Sequence, residues 1–178
     1  HHSLPTRFTG DRSFSTAIYF LLNEAEFSAF HRLKQDELWH SYDGVSLVMH
    51  MIDPTGNYSA VKLGRNIQAG EALLAVVKAG WLFGATVDDP RSYSLVGCTV
   101  APGFDFADFE IPSRKQLLEQ YPQHLHIIQE LTRPSDPPDR PERVSESLKN
   151  LEKKKRFFSE FDIARRSSFK DRAHLLRP

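Results

Sequence analysis

Turn signals cut the first 112 residues into short apolar runs about every ten residues, and few folds accept that punctuation. The run 16–22 (Thr-Ala-Ile-Tyr-Phe-Leu-Leu) is continuously apolar, the pattern of a strand buried on both faces. The stretch 37–53 is interrupted at Asp43-Gly44, a dipeptide suited to a tight hairpin. A second turn at 53–57 leads into a strand over 58–63, and Gly70, Gly80 and Gly84 bracket another over 72–77. Asp88-Asp89-Pro90 precedes a strand over 93–101, which Pro102-Gly103 ends. Many short strands with regular turns define an all-β fold, either a sandwich or a closed barrel. Thirteen Phe and eleven Pro in 178 residues agree with strands and turns better than with a helical bundle.

The pattern then changes. Ser113 and Gln116 are spaced as a capping box, and Leu117, Leu118, Tyr121, Leu125, Ile128 and Leu131 recur at roughly helical intervals. Pro122 should end one helix and open a second. Pro134, Pro137, Pro138 and Pro141 follow within eight residues, a stiff and extended composition. The expected organisation is therefore a barrel with closing helices over 1–133, a proline-rich linker over 134–143, and a basic helical tail over 144–178, partly disordered.

Composition excludes several classes of function. The formal net charge is zero, yet residues 149–178 carry ten basic and four acidic groups, leaving 13 basic against 19 acidic elsewhere. An acidic body does not suit nucleic acid, while the tail stays open to an acidic partner. No stretch approaches the run of about 18 apolar residues needed to span a membrane. The opening His1-His2-Ser3-Leu4 has no leader pattern, and the single cysteine, Cys98, cannot form an internal disulfide. A reducing, cytoplasmic setting is the expectation.

The stretch 27–44 holds the most chemistry. His31 and Glu37 lie six apart, and six residues intervene before Gly44. Residues two apart on a strand share a face, so a strand, a turn and a returning strand can aim an imidazole and a carboxylate into one lumen. This spacing resembles the first motif of the cupins, in which two histidines stand one residue apart, followed by a glutamate and a glycine. Leu33 occupies the place of the second histidine, and Lys78-Ala79-Gly80-Trp81-Leu82-Phe83 matches the second motif only at Gly80.

A closer similarity, over residues 5–132, is to the uncharacterised cupin-5 family. It is carried by residues 16–22, by His31-Arg-Leu-x-x-Asp-Glu-Leu-Trp-His40, by Leu63-Gly64, and by Leu95-Val-Gly-Cys-Thr-Val-Ala-Pro-Gly-Phe-Asp-Phe-x-Asp-Phe-Glu110. The family's opening helix and Glu-Gly-Gly-Tyr strand have no counterpart here. The resemblance implies a double-stranded β-helix, or cupin jelly-roll barrel, with C-terminal helices. It also implies a homodimer formed through the sheets and, by likeness to sugar-nucleotide epimerases, a lumen histidine acting as a base without metal.

Carried onto this chain, only His31 can be that base, with Glu37 orienting it or sharing the proton. An imidazole suits proton transfer near neutrality. Lys34, Trp39, Tyr42, Trp81 and Phe83 are the candidate ligand-binding residues around them. A buried Glu37 should have a cation or donor beside it. No cofactor is expected, since His31 and Glu37 are the only metal ligands of the cupin pattern left in place and catalytic zinc sites keep three. His40 and His50 are expected at the surface or an interface, Cys98 as an inert buried thiol, and Phe104, Phe106 and Phe109 as the barrel floor or a partner-facing edge.

Three functions remain open. One is a metal-independent isomerase or epimerase acting on a sugar or sugar nucleotide. Another is a non-catalytic module that senses a sugar-like or nucleotide-like ligand in the same pocket. The last is a scaffold docking through its basic tail.

Overall fold

The computed structural model describes residues 5–8, 10–23 and 26–133. Contacts divide the chain into His1–Asp136 and Pro137–Pro178, and the second unit, with the expected linker and tail, lies outside the described residues.

Among the described residues the first unit has nine strands: β1 (Thr16–Asn23), β2 (Phe27–Leu33), β3 (Glu37–Gly44), β4 (Leu47–Ile52), β5 (Tyr58–Leu63), β6 (Leu74–Val77), β7 (Leu82–Val87), β8 (Tyr93–Val100) and β9 (Phe109–Glu110). Helices α1 (Arg114–Gln120) and α2 (Leu125–Glu130) follow. One sheet has the order β1-β8-β3-β6 and the other β5-β4-β7-β2-β9, with every named pairing antiparallel. Side chains from both sheets interdigitate between them, among them Leu22, Trp39, Val77 and Val96 from the first and Leu33, Met49, Phe83 and Ala85 from the second. This is the expected double-stranded β-helix.

The Asp43-Gly44 turn is not a hairpin. It carries the chain from β3 in one sheet to β4 in the other, and the two strands do not pair. Gly44 sits at φ 86°, a left-handed conformation, and a Cβ there would collide with the Tyr93 carbonyl oxygen. Local turn chemistry specifies the reversal, while long-range pairing decides which sheet receives the next strand.

The run 16–22 also departs from expectation. As β1 it is an edge strand, and Ile18, Tyr19 and Leu21 are exposed rather than buried on both faces. Among the described residues nothing covers the outer face of that four-stranded sheet.

The five-stranded sheet is covered by the helices. Phe30, Ile52 and Leu82 on its outer face pack with Leu117, Tyr121, Ile128 and Leu131 into a second apolar cluster. Phe30 faces outward and His31 inward by ordinary alternation, and a bulge in β2 shifts the register so that Ser28 pairs with Ala85 and His31 with Phe83. Gly84 on β7 makes room for that bulge, since a Cβ there would stand 2.7 Å from the Ser28 carbonyl oxygen. The capping box forms as the sequence indicates, with Ser113 N donating to Gln116 Oε1 at 2.8 Å and Gln116 N to Ser113 Oγ at 3.3 Å. Such a cap contributes about 1 kcal/mol. A seven-residue helix is too short to stand alone, so the apolar contact through Leu117 holds it.

Candidate functional site

His31 and Glu37 enter the interior from facing sheets, His31 at the end of β2 and Glu37 at the start of β3. The intervening turn is pinned by Asp36, whose carboxylate accepts from Ala79 N at 2.8 Å, and by Gly80 N donating to Leu33 O at 2.8 Å. Both side chains are thereby directed into the apolar space between the sheets, at 9% and 8% exposure.

The His31 ring lies 4.0 Å from the Phe83 ring centroid and 5.2 Å from that of Phe109. Its Nδ1 is 2.7 Å from the Ala29 carbonyl oxygen. A carbonyl only accepts, so Nδ1 carries the proton and Nε2 is left as a bare acceptor. Burial lowers the imidazole from 6.5 to about 4, only partly offset by that backbone bond.

Glu37 moves the opposite way. Burial raises its carboxyl from 4.5 to about 7, against a smaller pull from the Trp39 indole and the Cys98 thiol. Neither Glu37 Oε2 nor Trp39 Nε1 makes a hydrogen bond of normal geometry. Among the described residues no lysine or arginine charge acts on either group. Of the cation or donor expected beside Glu37, the structure supplies donors, the Trp39 indole and the Cys98 thiol, and burial outweighs them so that the carboxyl holds its proton up to about 7.

Trp39 follows Glu37 on the same face of β3 and is almost fully buried. Phe83 meets it edge-on at 6.3 Å and touches His31, so these aromatics join the two polar groups into one cluster. Trp81 is partly buried and packs against the same core. Cys98 lies opposite Trp39 in the β3–β8 register, and burial with the Glu37 charge pushes its thiol well up, as an inert thiol should be. Phe104 and Phe109 pack on the core and on one another.

Two candidate ligand residues do not join this cluster. Tyr42 has the opposite parity to Trp39 and lies on the outer face of its sheet, stacked with His40 and edge-on to Tyr19. Lys34 reaches Asp108 at 3.4 Å instead of the lumen.

His50 also differs from expectation. It is buried on the helix side of β4, with Nδ1 2.8 Å from Tyr58 Oη and Nε2 3.1 Å from Thr86 Oγ1. The sequence reading missed a second buried group altogether. Asp108 Oδ2 accepts from Arg12 Nη1 at 2.7 Å and from Gln35 Nε2 at 2.9 Å, tying the segment before β1 to the β2–β3 turn. Arg12 and Asp108 are 96 positions apart in the chain, which leaves no local signal of that pairing.

An open cleft of about 620 Å³ lies elsewhere, near Ser46, Arg65, Asn66, Glu71 and Asp88. Its polar groups already bond to one another or to neighbours, as in Ser46–Glu71, Arg65–Asp43 and Lys62–Asp88.

The lumen does not fit a divalent metal. Leu33 and Phe83 stand where the cupin pattern would supply two more histidines, and among the described residues no group of three His, Cys, Asp or Glu is placed to hold an ion.

Fold and site together define a cupin with an aromatic lumen. The chain belongs to the cupin-5 family, whose model, described as Cupin superfamily (DUF985), matches residues 1–112. It is similar to a protein from Shewanella oneidensis known by crystal structure, at 44% identity over 72% of this chain and 80% of that one, with a TM-score of 0.69. A hypothetical protein from Leishmania major is similar at 39% identity over 68% of this chain and 77% of that one, with a TM-score of 0.64. No curated protein matches the chain.

Proposed function

We propose that this cupin is a metal-independent isomerase or epimerase that takes a sugar or sugar-like molecule into its lumen and moves a proton on it. One observation carries the reading. His31 and Glu37, from facing strands, share an apolar interior whose desolvation makes the neutral base and the neutral acid the favoured pair near neutral pH. An aldose–ketose or epimerisation step needs both at once.

In the proposed step, His31 Nε2 takes a proton from the carbon beside a carbonyl. The C–H electron pair becomes the C=C bond of an enediol, and the carbonyl oxygen takes the Glu37 proton. Isomerisation follows when His31 gives its proton to the former carbonyl carbon, while the hydroxyl on the first carbon returns a proton to the Glu37 carboxylate and becomes the new carbonyl. Proton return to the opposite face of the first carbon, with the enediol oxygen giving its proton back to Glu37, gives epimerisation. Trp39, Trp81 and Phe83 form the walls, and the Ala29 carbonyl holds the His31 tautomer that leaves Nε2 free.

The rival reading is a binding module without chemistry, in which the same aromatic side chains, Phe83 against His31 and Trp39, hold a guest and no proton moves. Solvent deuterium incorporation into a panel of keto-sugars and keto-sugar nucleotides separates the two. Exchange that is abolished in His31→Ala supports the enzyme, whereas binding without exchange supports the module.

The same proposal includes a homodimer. Tyr19 on β1, Gly97 on β8, His40 on β3 and Leu74 on β6 form one row across the uncovered sheet face, and Tyr19 and Leu74 are 51% and 47% exposed. Pairing two such faces would remove this apolar surface and the open β1 edge from water. None of the described helices is long and apolar enough to cross a membrane. A cytoplasmic location fits a lone thiol that is buried and protonated.

A further inference from the structure

A carboxyl that gives up its proton in the proposed step is left holding a negative charge among apolar side chains. Among the described residues no lysine or arginine charge acts on Glu37. Two donors do act on it. Burial drives its carboxyl up, and the Trp39 indole and the Cys98 thiol each pull it back down. The thiol is pushed up in turn, first by burial and then by the Glu37 charge and the hydrogen bond between them.

The strands explain why these donors arrive together. Glu37 and Trp39 are two apart on β3 and leave the same face. Cys98 on β8 stands opposite Trp39, and Glu37 stands opposite Val100, so the thiol and the carboxyl are diagonal neighbours on the inner face. All three residues are buried. Two edge-on rings hold the indole, Phe20 at 5.8 Å and Phe83 at 6.3 Å, with interplanar angles of 83° and 88°. Its N–H direction is thereby fixed.

Trp39 Nε1 does not reach normal hydrogen-bond geometry with the carboxyl. A carboxylate accepts shorter and stronger bonds than a neutral carboxyl does. The two donors therefore favour the charged form, and they do so without admitting water. We propose that Trp39 and Cys98 are positioning residues for Glu37, whose indole and thiol hold its carboxyl and stabilise the carboxylate left when the proton moves to the carbonyl oxygen. Neither donor gives up its own proton. Their part in turnover rests on the proposed proton transfer, whereas their hold on Glu37 does not.

The test follows Glu37 Cδ, the His31 ring nitrogens and the indole N–H signals in ¹³C,¹⁵N-labelled full-length chain. The protein contains two tryptophans, so Trp81→Phe assigns the signal of Trp39. In wild type that signal should move with the Glu37 midpoint, and the Trp81 signal should not. Trp39→Phe keeps a ring but removes the donor, and should raise the Glu37 midpoint by about one pH unit, a tenfold weaker acid. Cys98→Ala should raise it too, and Cys98→Ser, which keeps a donor, should hold it near the wild-type value. The direction separates this role from a merely structural one, because loosened packing admits water and would lower Glu37 while raising His31. A Glu37 midpoint that stays or falls in either Trp39→Phe or Cys98→Ala would overturn the proposal. So would a wild-type Trp39 signal that ignores the ionisation of Glu37, a readout that needs no substitution at 39 or 98. Coupled indole and carboxyl signals without deuterium exchange would remove the enzyme reading and leave this inference standing. Exchange with an uncoupled indole would do the reverse.

Discussion

Glu37 and His31 titrate in reversed order. The carboxyl ionises near 7 and the imidazole loses its proton near 4, so between those values both are neutral. Burial alone produces the reversal, because it penalises the charged form of an acid and of a base alike. The consequences differ in sign and can be measured separately.

For Glu37 the folded value lies above the unfolded one. Its contribution is intact below about pH 4.5 and is lost as pH rises through about 7. The cost above pH 7 is on the order of 3 kcal/mol. Glu37→Gln removes the ionisation, so the variant should gain stability relative to wild type on going from pH 4 to pH 8. Urea unfolding at the two pH values checks this, and an equal difference at both contradicts it.

For His31 the folded value lies below the unfolded one. Its contribution is intact above about pH 6.5 and is lost as pH falls through about 4. His31→Gln should therefore gain stability relative to wild type as the pH is lowered from 7 to 4. The two residues have opposite slopes, so in wild type they nearly cancel. Each variant should show a pH dependence that the parent conceals.

Asp108 and Arg12 pair with side-chain exposures of 0% and 3%. Removing one partner strands a buried charge, which typically costs about 3–5 kcal/mol. Asp108→Ala should lower the unfolding midpoint far more than Asp89→Ala, whose ion pair with Arg91 is exposed. Comparable losses in the two variants would contradict the structural account of Asp108.

The uncovered sheet face should hold two copies together. Sedimentation equilibrium of wild type is expected to give twice the chain mass, and Tyr19→Lys combined with Leu74→Lys should give the monomer with unchanged circular dichroism. A monomeric wild type would remove the dimer from the proposal.

Much of this was legible in the residues, and what was not has physical causes. The His31–Glu37 spacing reads directly as two strands aimed at one interior, and Ser113 with Gln116 reads as a cap. Tyr42 could have been separated from Trp39 by alternation, since Glu37 and Trp39 face in and Tyr42 has the parity of His40. The apolar run in β1 cannot by itself distinguish a strand covered twice from one whose outer face is bare. His50 is buried by groups brought from β5 and β7, and the crossing at Gly44 depends on which strand β4 later meets. Long-range pairing decides each of these, and no local pattern encodes it.

The central claim is that one dry interior receives both the imidazole and the carboxyl. It is tested most directly by NMR titration of full-length protein, following Glu37 Cδ and the His31 ring nitrogens from pH 3.5 to 8.5. The account predicts a Glu37 midpoint near 7 and a His31 that stays neutral, protonated at Nδ1, to below pH 5. A Glu37 midpoint near 4.5 with a His31 midpoint near 6.5 would show two solvated, independent groups and contradict it.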